Sequence, residues 1–263
     1  MRRTVTCSIL ALVLALLGCE GSKPKEPPKP PPPIDRPVAK AEPFAVLEGV
    51  VRLASPEVPA FTDAEMERQI LDHTKRGKWP DECSPPKITD RRPLQLADDG
   101  GLSGVIVAVS NFTKQARHRK PITHDVMIHD CRLSPRTILA LKGDTLKVGT
   151  EVKYPFMPGY GPPSQLKTLI PGQTYDVNLN TLGASPLTCG FTAPCGRTDV
   201  IVLSHTMAAL TDEHGKFRID SFPPGERVTV TAWHPLLQQS EVQIEVAPGQ
   251  TKSIELVVNP VAR

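Results

Sequence analysis

Hydrophobic residues in this chain come in short runs, parted by turn-forming Gly, Pro, Asp and Asn. Val46–Leu53 reads as a strand. Gly104–Ser110 is a continuous apolar run, the pattern of a strand buried on both faces. Asp125–Cys131, Thr137–Leu141 and Thr145–Val148 follow. The last two are parted by Lys142-Gly143-Asp144, whose Gly-Asp dipeptide is a hairpin signal. After a Pro/Gly-rich stretch from Pro155 to Pro163 come Thr174–Leu179 and Val200–Leu203. A second series starts near His205. It holds Met207–Leu210, a polar turn at Thr211–Gly215, Phe217–Ile219, a turn at Pro223–Gly225, then Val228–Trp233, Val242–Val246 and Ile254–Val258. Helical spacing is confined to one place. Thr62 caps a segment running to about Arg76, Glu65 completes a capping box, and Met66 and Ile70 share its apolar face. The pattern predicts a mostly β protein of two consecutive β-sandwich (Greek-key) domains. The first spans 44–204 and carries the short helix; the second spans 205–263.

The N-terminus follows other rules. Arg2 and Arg3 precede an apolar core at Ile9–Leu17, too short to cross a bilayer, and the run closes on Leu16-Leu17-Gly18-Cys19. A basic start, a short apolar core and a small residue before the cut describe a secretory signal, residues 1–18. From Glu20 to Pro43 there is no apolar periodicity, and seven of the ten residues 24–33 are proline. Such a segment (19–43) offers too little apolar surface to offset ordering and favours extended polyproline II, a disordered spacer of roughly 3 Å per residue.

Composition changes the picture in two ways. Lys and Arg number 31 against 28 Asp and Glu, a net charge of +3 that falls to +1 once Arg2 and Arg3 leave with the signal. That balance gives no footprint for nucleic acid. The 29 prolines and 5% aromatic content fit an all-β chain with many turns. Of six cysteines, Cys7 lies in the signal and Cys19 at its cut site. Cys83, Cys131, Cys189 and Cys195 remain, an even set that favours disulfides in an oxidising compartment and leaves three pairings open.

Candidate chemistry is sparse. His124, His129 and Cys131, with His118, form a sequence cluster open to adventitious metal. His129 and Cys131 share a strand face and His124 points the other way; surface and edge positions account for the group more simply. Tyr154, Phe156, Met157 and Tyr160 crowd one loop, read either as a recognition surface or as a cover over the sandwich end. Trp233-His234 reads as a core Trp beside a partly buried His. Asp212, Glu213 and His214 sit in a tight turn without calcium-loop spacing, so turn chemistry explains them. The basic run Lys114–Lys120 reads as a solvated loop, with contact to anionic lipid or cell-wall polymer as the minor alternative. No nucleophile elbow, zinc-protease helix or phosphate loop is present in the sequence, and no catalytic residue is proposed.

Leu16-Leu17-Gly18-Cys19 resembles the lipobox of bacterial lipoproteins. The resemblance implies a Cys19 lipidated on sulfur, first in the mature chain, and a protein anchored to a membrane of the cell envelope. Glu20 after the Cys, by similarity to enterobacterial sorting, implies the outer membrane, facing the periplasm or the cell surface. Glu82–Lys87, Leu94–Val109, Cys131–Arg136 and Lys142–Leu146 resemble the cupredoxin-like domain of methylamine-utilisation-type secreted proteins. Ala209–Phe217, Phe222–Gly225 and Val230–His234 resemble the carboxypeptidase regulatory-like (transthyretin-like) β-sandwich that follows it there.

Cupredoxins hold copper with two His, a Cys thiolate and often a Met. Here no His occurs between Cys131 and His205, so both expected imidazoles are missing from the family positions. The resemblance therefore implies the fold without the copper site. It goes with a Cys189–Cys195 bridge, a Cys83–Cys131 bridge, no cofactor, and a binding or structural role toward an envelope protein or polymer. The alternative is a periplasmic copper-binding or electron-transfer protein with a rearranged site drawn from Cys189, His205, Met157 and Met207, which requires a reduced Cys189.

Overall fold

Alternating burial is set from the first strand of the body. In β1 (Ala45–Leu53) the side chains of Ala45, Leu47, Val51 and Leu53 face a core. The structure is a computed structural model that describes residues 43–55, 80–84, 94–114, 116–162, 165–189 and 195–261. The signal, Cys19, the Pro-rich tether and the helix expected at 62–76 lie outside the described residues. The chain continues through a small hairpin, β2 (Gln95–Leu96) and β3 (Leu102–Ser103), into β4 (Ile106–Ser110). The next strands are β5 (Thr123–His129), β6 (Arg132–Ser134), β7 (Thr137–Leu141), β8 (Asp144–Thr150), β9 (Pro158–Tyr160), β10 (Gln165–Leu166), β11 (Thr174–Leu179), β12 (Gly183–Cys189) and β13 (Arg197–Leu203). The last are β14 (Ala208–Leu210), β15 (Lys216–Phe222), β16 (Val228–Trp233), β17 (Leu237–Gln238), β18 (Ser240–Ile244) and β19 (Thr251–Pro260). All regular structure among the described residues is β, as the hydrophobic pattern predicts.

Four sheets make two sandwiches, but not consecutive ones. Sheets β15-β1-β19-β17 and β14-β4-β16-β18 enclose a core that includes Leu47, Val51, Val107, Val109, Phe217, Ile219, Val230 and Leu256. Sheets β10-β9-β12-β13-β7 and β11-β8-β5-β6 enclose a second core that includes Val126, Ile128, Leu146, Val148, Phe156, Leu187 and Val200. The expected partition at 204/205 therefore does not describe the sheets. β1 runs parallel to β19, from Val46↔Thr251 to Leu53↔Val258, and β4 lies between β14 and β16. The physical reason is that residues 205–263 supply too few strands to cover both faces of their own apolar side chains. β1 and β4 complete the layers. Gly49 marks the closest approach: a Cβ there would stand 2.0 Å from the Ile254 carbonyl oxygen.

β4 and β14 pair antiparallel, with Ala108 opposite Ala208 and the Val109 N–H donating to the Met207 carbonyl at 3.0 Å. The second sandwich is thus an insertion between two neighbouring strands of the first. Its two connections run side by side, since Thr206 Oγ1 donates to the Arg117 carbonyl at 2.8 Å.

Two local expectations change. Lys142-Gly143-Asp144 does not close a hairpin: β7 pairs with β13 in one sheet and β8 pairs with β5 and β11 in the other. The turn is an arch between layers, because β7 and β8 bury their apolar faces against the same core from opposite sides. The strand expected to reach Cys131 stops at His129. Asp130 and Cys131 have φ of 46° and 56°, and they form a two-residue turn into β6 with His129 opposite Arg132.

Candidate functional site

The cysteines come together as two bridges. Cys83 joins Cys131 with Cα atoms 5.7 Å apart, and Cys189 joins Cys195 at 5.5 Å. This is the pairing that went with the family resemblance. The tight turn at Asp130–Cys131 swings the thiol of Cys131 inward, where it is fully buried in the second core. Cys189 packs against that same core and its sulfur is covalently committed.

The alternative copper set is not brought together. Met207 is fully buried in the core of the first sandwich, whereas Cys189 packs against the core of the second. The His205 ring lies edge-on to Phe112, its Nδ1 accepts from the Met207 N–H at 3.2 Å, and burial lowers its pKa. Copper needs an unbridged thiolate here, so the residues present do not fit a cupredoxin metal.

The histidine cluster also disperses. His129 Nδ1 meets Glu151 Oε2 at 2.8 Å, His124 Nε2 meets Asp144 Oδ2 at 2.9 Å, and Cys131 is bridged. Among the described residues, no three His, Cys, Asp or Glu side chains gather as a metal site.

Asp144 explains part of the basic run. Its carboxylate is fully buried and accepts a fork from Arg119, 2.7 Å at Oδ1 and 2.5 Å at Oδ2, together with the Ile122 and Leu141 N–H groups. Burial alone pushes this carboxyl up. Arg119, His124 and the two amides outweigh it and hold Asp144 well below the usual carboxylate range. Arg119 is therefore tied to the β7–β8 arch rather than simply solvated. Arg117 stacks over the Phe44 ring at 4.5 Å.

The aromatic loop is mostly cover. Phe156 is fully buried, and Tyr154, Tyr160 and Tyr175 pack on the second core. Burial raises the Tyr175 pKa to about 12, and its hydroxyl donates to the Pro158 carbonyl at 3.2 Å. The Asp212 turn is as expected: Asp212 Oδ1 accepts from the His214 and Lys216 N–H groups at 2.9 and 2.8 Å.

At Trp233-His234 the order of burial is the reverse of the expectation. Trp233 is half-buried, while His234 is 2% exposed. His234 sits at the head of a turn, its Nδ1 accepting from the Leu236 N–H at 3.2 Å. That bond places the neutral ring's proton on Nε2, which has no partner. Burial lowers its pKa to about 4. Asp199 opposes that shift, while Arg197 adds to it.

Where the two sandwiches meet, a cleft of about 470 Å³ opens. One wall is the β6–β7 segment Arg132–Thr137. The other is Gln95, Ser103 and Gly104 with Leu210 and Thr211. The β6–β7 segment is pinned through its backbone to Cys195 and to β13: Leu133 N–H donates to the Cys195 carbonyl at 2.8 Å, Thr198 Oγ1 to the Pro135 carbonyl at 2.7 Å, and Asp199 N–H to the Arg136 carbonyl at 2.8 Å. The facing wall is held by Thr211, whose Oγ1 donates to the Leu102 carbonyl at 2.6 Å and accepts from the Val105 N–H at 2.9 Å. Sequence reasoning missed this cleft. Its only signal is Arg132-Leu-Ser-Pro-Arg136, two arginines four residues apart, and nothing local says that the facing wall comes from a different sandwich.

No protein-family model and no curated protein matches the chain. Among solved structures it is similar to a Cu-containing nitrite reductase from Thermus scotoductus SA-01, at 15% identity and a TM-score of 0.28, over 36% of this chain and 25% of that one. It is similar to a mutant of amicyanin in the Cu(I) state, at 16% identity and 0.28, over 37% of this chain and 98% of that one. A purple cupredoxin from Nitrosopumilus maritimus is similar at 15% identity and 0.27, over 30% and 98%. The chain thus spans a quarter of the nitrite reductase's length. Likenesses of this size assign no chemistry to the chain.

Proposed function

We propose that this protein is an envelope lipoprotein with a binding role and no enzymatic activity. Acylated Cys19 anchors it to a bilayer, in the outer membrane and facing the periplasm or the cell surface. The Pro-rich segment spaces the body from the membrane. In this reading the inserted sandwich is a cupredoxin-like scaffold without its copper, and the sandwich around it is of the carboxypeptidase regulatory-like kind. The partner is a molecule of the envelope, not a nucleic acid.

The observation that carries this reading is the Cys189–Cys195 bridge. A disulfide sulfur is no copper thiolate, and the bridge closes a loop where a cupredoxin presents its soft ligand. Disulfides also fit an oxidising compartment, in keeping with the secretory signal.

The test is peptide mapping of the full chain, purified unreduced from the envelope in detergent. The expected result is a Cys19 N-terminal peptide carrying acyl mass and no free thiol at Cys83, Cys131, Cys189 or Cys195. A free Cys189 and a visible absorption band on adding copper would replace this reading with the copper-protein one. An unacylated Cys19 would remove the anchor.

A further inference from the structure

One end of the inserted sandwich is both apolar and basic, and several turns meet there. At the entry to β5 the Ile122 carbonyl accepts the Thr145 N–H at 3.0 Å. In the β7–β8 arch Gly143 N–H donates to the Leu179 carbonyl and Lys142 N–H to the Leu203 carbonyl, both at 2.9 Å. Gly183, closing the β11–β12 turn, stands opposite Val202. These turns leave two large apolar side chains outside, Ile122 at 47% and Leu182 at 53% exposure. Lys120, just before β5, and Lys142, in the arch, are exposed as well. Arg117, Pro121 and Lys142 line a shared hollow of about 130 Å³. The one carboxylate among its described lining residues, Asp144, is buried and taken by Arg119 and His124. Asp125 and Asp176, exposed acids further along the strands, stand opposite Lys147. The body also joins its tether here: Arg117 stacks at 4.5 Å over the ring of Phe44, the residue that follows the Pro-rich segment.

We propose that this end of the body docks on an anionic lipid surface, with Ile122 and Leu182 entering the headgroup layer and Arg117, Lys120 and Lys142 meeting the lipid phosphates. The proposal rests on the lipid-anchor reading above and names the surface that the body contacts. Apolar side chains set among cations suit a bilayer interface: the acyl boundary takes the first and the negative headgroups the second. Each of these contacts is weak. The tether makes weak contact sufficient, because an anchored body stays near the membrane and its docking becomes an intramolecular event. The same tether lets the body stand off when it is undocked.

The test uses the full acylated chain in proteoliposomes, with a nitroxide label on Thr181→Cys, an exposed position beside Leu182. Electron paramagnetic resonance with oxygen and a water-soluble nickel chelate reads whether the label sits in lipid or in water. In vesicles of phosphatidylethanolamine and phosphatidylglycerol the label is expected in lipid, and high salt should release it. In phosphatidylcholine alone it is expected in water. Lys120→Gln/Lys142→Gln should lower the docked-to-free ratio about 25-fold, about fivefold for each cation. A label on Glu213→Cys, in the turn between β14 and β15 at the far end of β14 from Thr206, should read water throughout. A Thr181 label in water on phosphatidylglycerol vesicles, or equally deep in phosphatidylcholine, overturns the proposal. Burial that appears only on adding peptidoglycan also overturns it and moves the patch to the cell wall. The thiol map and N-terminal mass are taken on the same sample. A label left in water on an acylated, fully bridged protein sinks this inference alone, whereas an unacylated Cys19 removes the anchor reading and this proposal with it.

Discussion

His234 ties the stability of the fold to pH through a single side chain. Its ring is buried, its Nδ1 is used by the Leu236 N–H, and its Nε2 proton meets nothing. A second proton would place an unsolvated charge inside the protein, which is why burial depresses its pKa to about 4 from the ordinary 6.5. The sign follows from linkage. Above pH 6.5 both the folded and unfolded states hold a neutral ring. Between 6.5 and 4 only the unfolded chain takes up the proton, so folding weakens as pH falls through that window. The full loss is about 3 kcal/mol. Urea unfolding of wild type and His234→Leu across pH 4–7 is the check. The wild-type midpoint should fall with acid more steeply than the variant's, and parallel curves would show that His234 is not the group responsible. The sequence places a His after Trp233, but burial at a strand end depends on what folds over it. Here that is the turn reaching Leu237, whose N–H donates back to the His234 carbonyl at 3.0 Å.

At the scale of elements, the β7–β8 arch depends on Asp144. One buried carboxylate ends the segment that follows β4, receives Arg119 and His124, and caps the turn by accepting the Leu141 N–H. Asp144→Asn keeps the shape but removes the charge and places an amide donor among donors. The expected cost is about 3 kcal/mol or more, the range for breaking a buried ion pair. Denaturant unfolding should show it, with Arg119→Ala losing less because His124 and two amides still serve the carboxylate. Equal losses would mean the Arg119 fork carries the whole effect. Most strands were legible because a half-buried strand writes its alternation into the sequence, as β15 does over Lys216–Phe222, where Phe217, Ile219 and Ser221 are buried between exposed Lys216, Arg218 and Asp220. The arch was not, because Gly143-Asp144 encodes a turn and says nothing about which sheet each flank joins. β12 was hidden for a different reason: Gly183 and Pro186 read as loop, yet Pro186 is accommodated opposite Asp199. The cleft was least legible of all, since its two walls are distant in sequence and Arg132 and Arg136 look like ordinary surface residues until Gln95 and Ser103 are set across from them.

At the scale of the whole molecule, the insertion makes a claim that consecutive domains would not. The first sandwich is assembled from both ends of the body, β1 and β4 from one side of the insertion and β14–β19 from the other. A 205–263 fragment lacks the strands that pair with β15, β19, β14 and β16, and leaves their apolar faces and edge hydrogen bonds open. It should therefore be unfolded by circular dichroism and NMR dispersion. Removing the insertion should be tolerated, because Arg117 and Thr206 already touch at 2.8 Å and the β4–β14 pairing continues below them. Joining Arg117 to Thr206 by roughly four Gly-rich residues converts a long excursion into an ordinary hairpin loop, whose closure entropy is smaller. The Thr113 and Lys114 contacts to Glu226 stay in place, and the Arg117 stack on Phe44 is kept. Cys83, which would lose Cys131, is changed to Ser. The expected product is a β protein that unfolds in one cooperative step. A folded 205–263 fragment beside an unfolded excised chain would reverse the assignment and restore two consecutive domains. The designed outcome would instead show that the seam is a boundary between two cores that fold around one another's loops, with the cleft existing only where both are present.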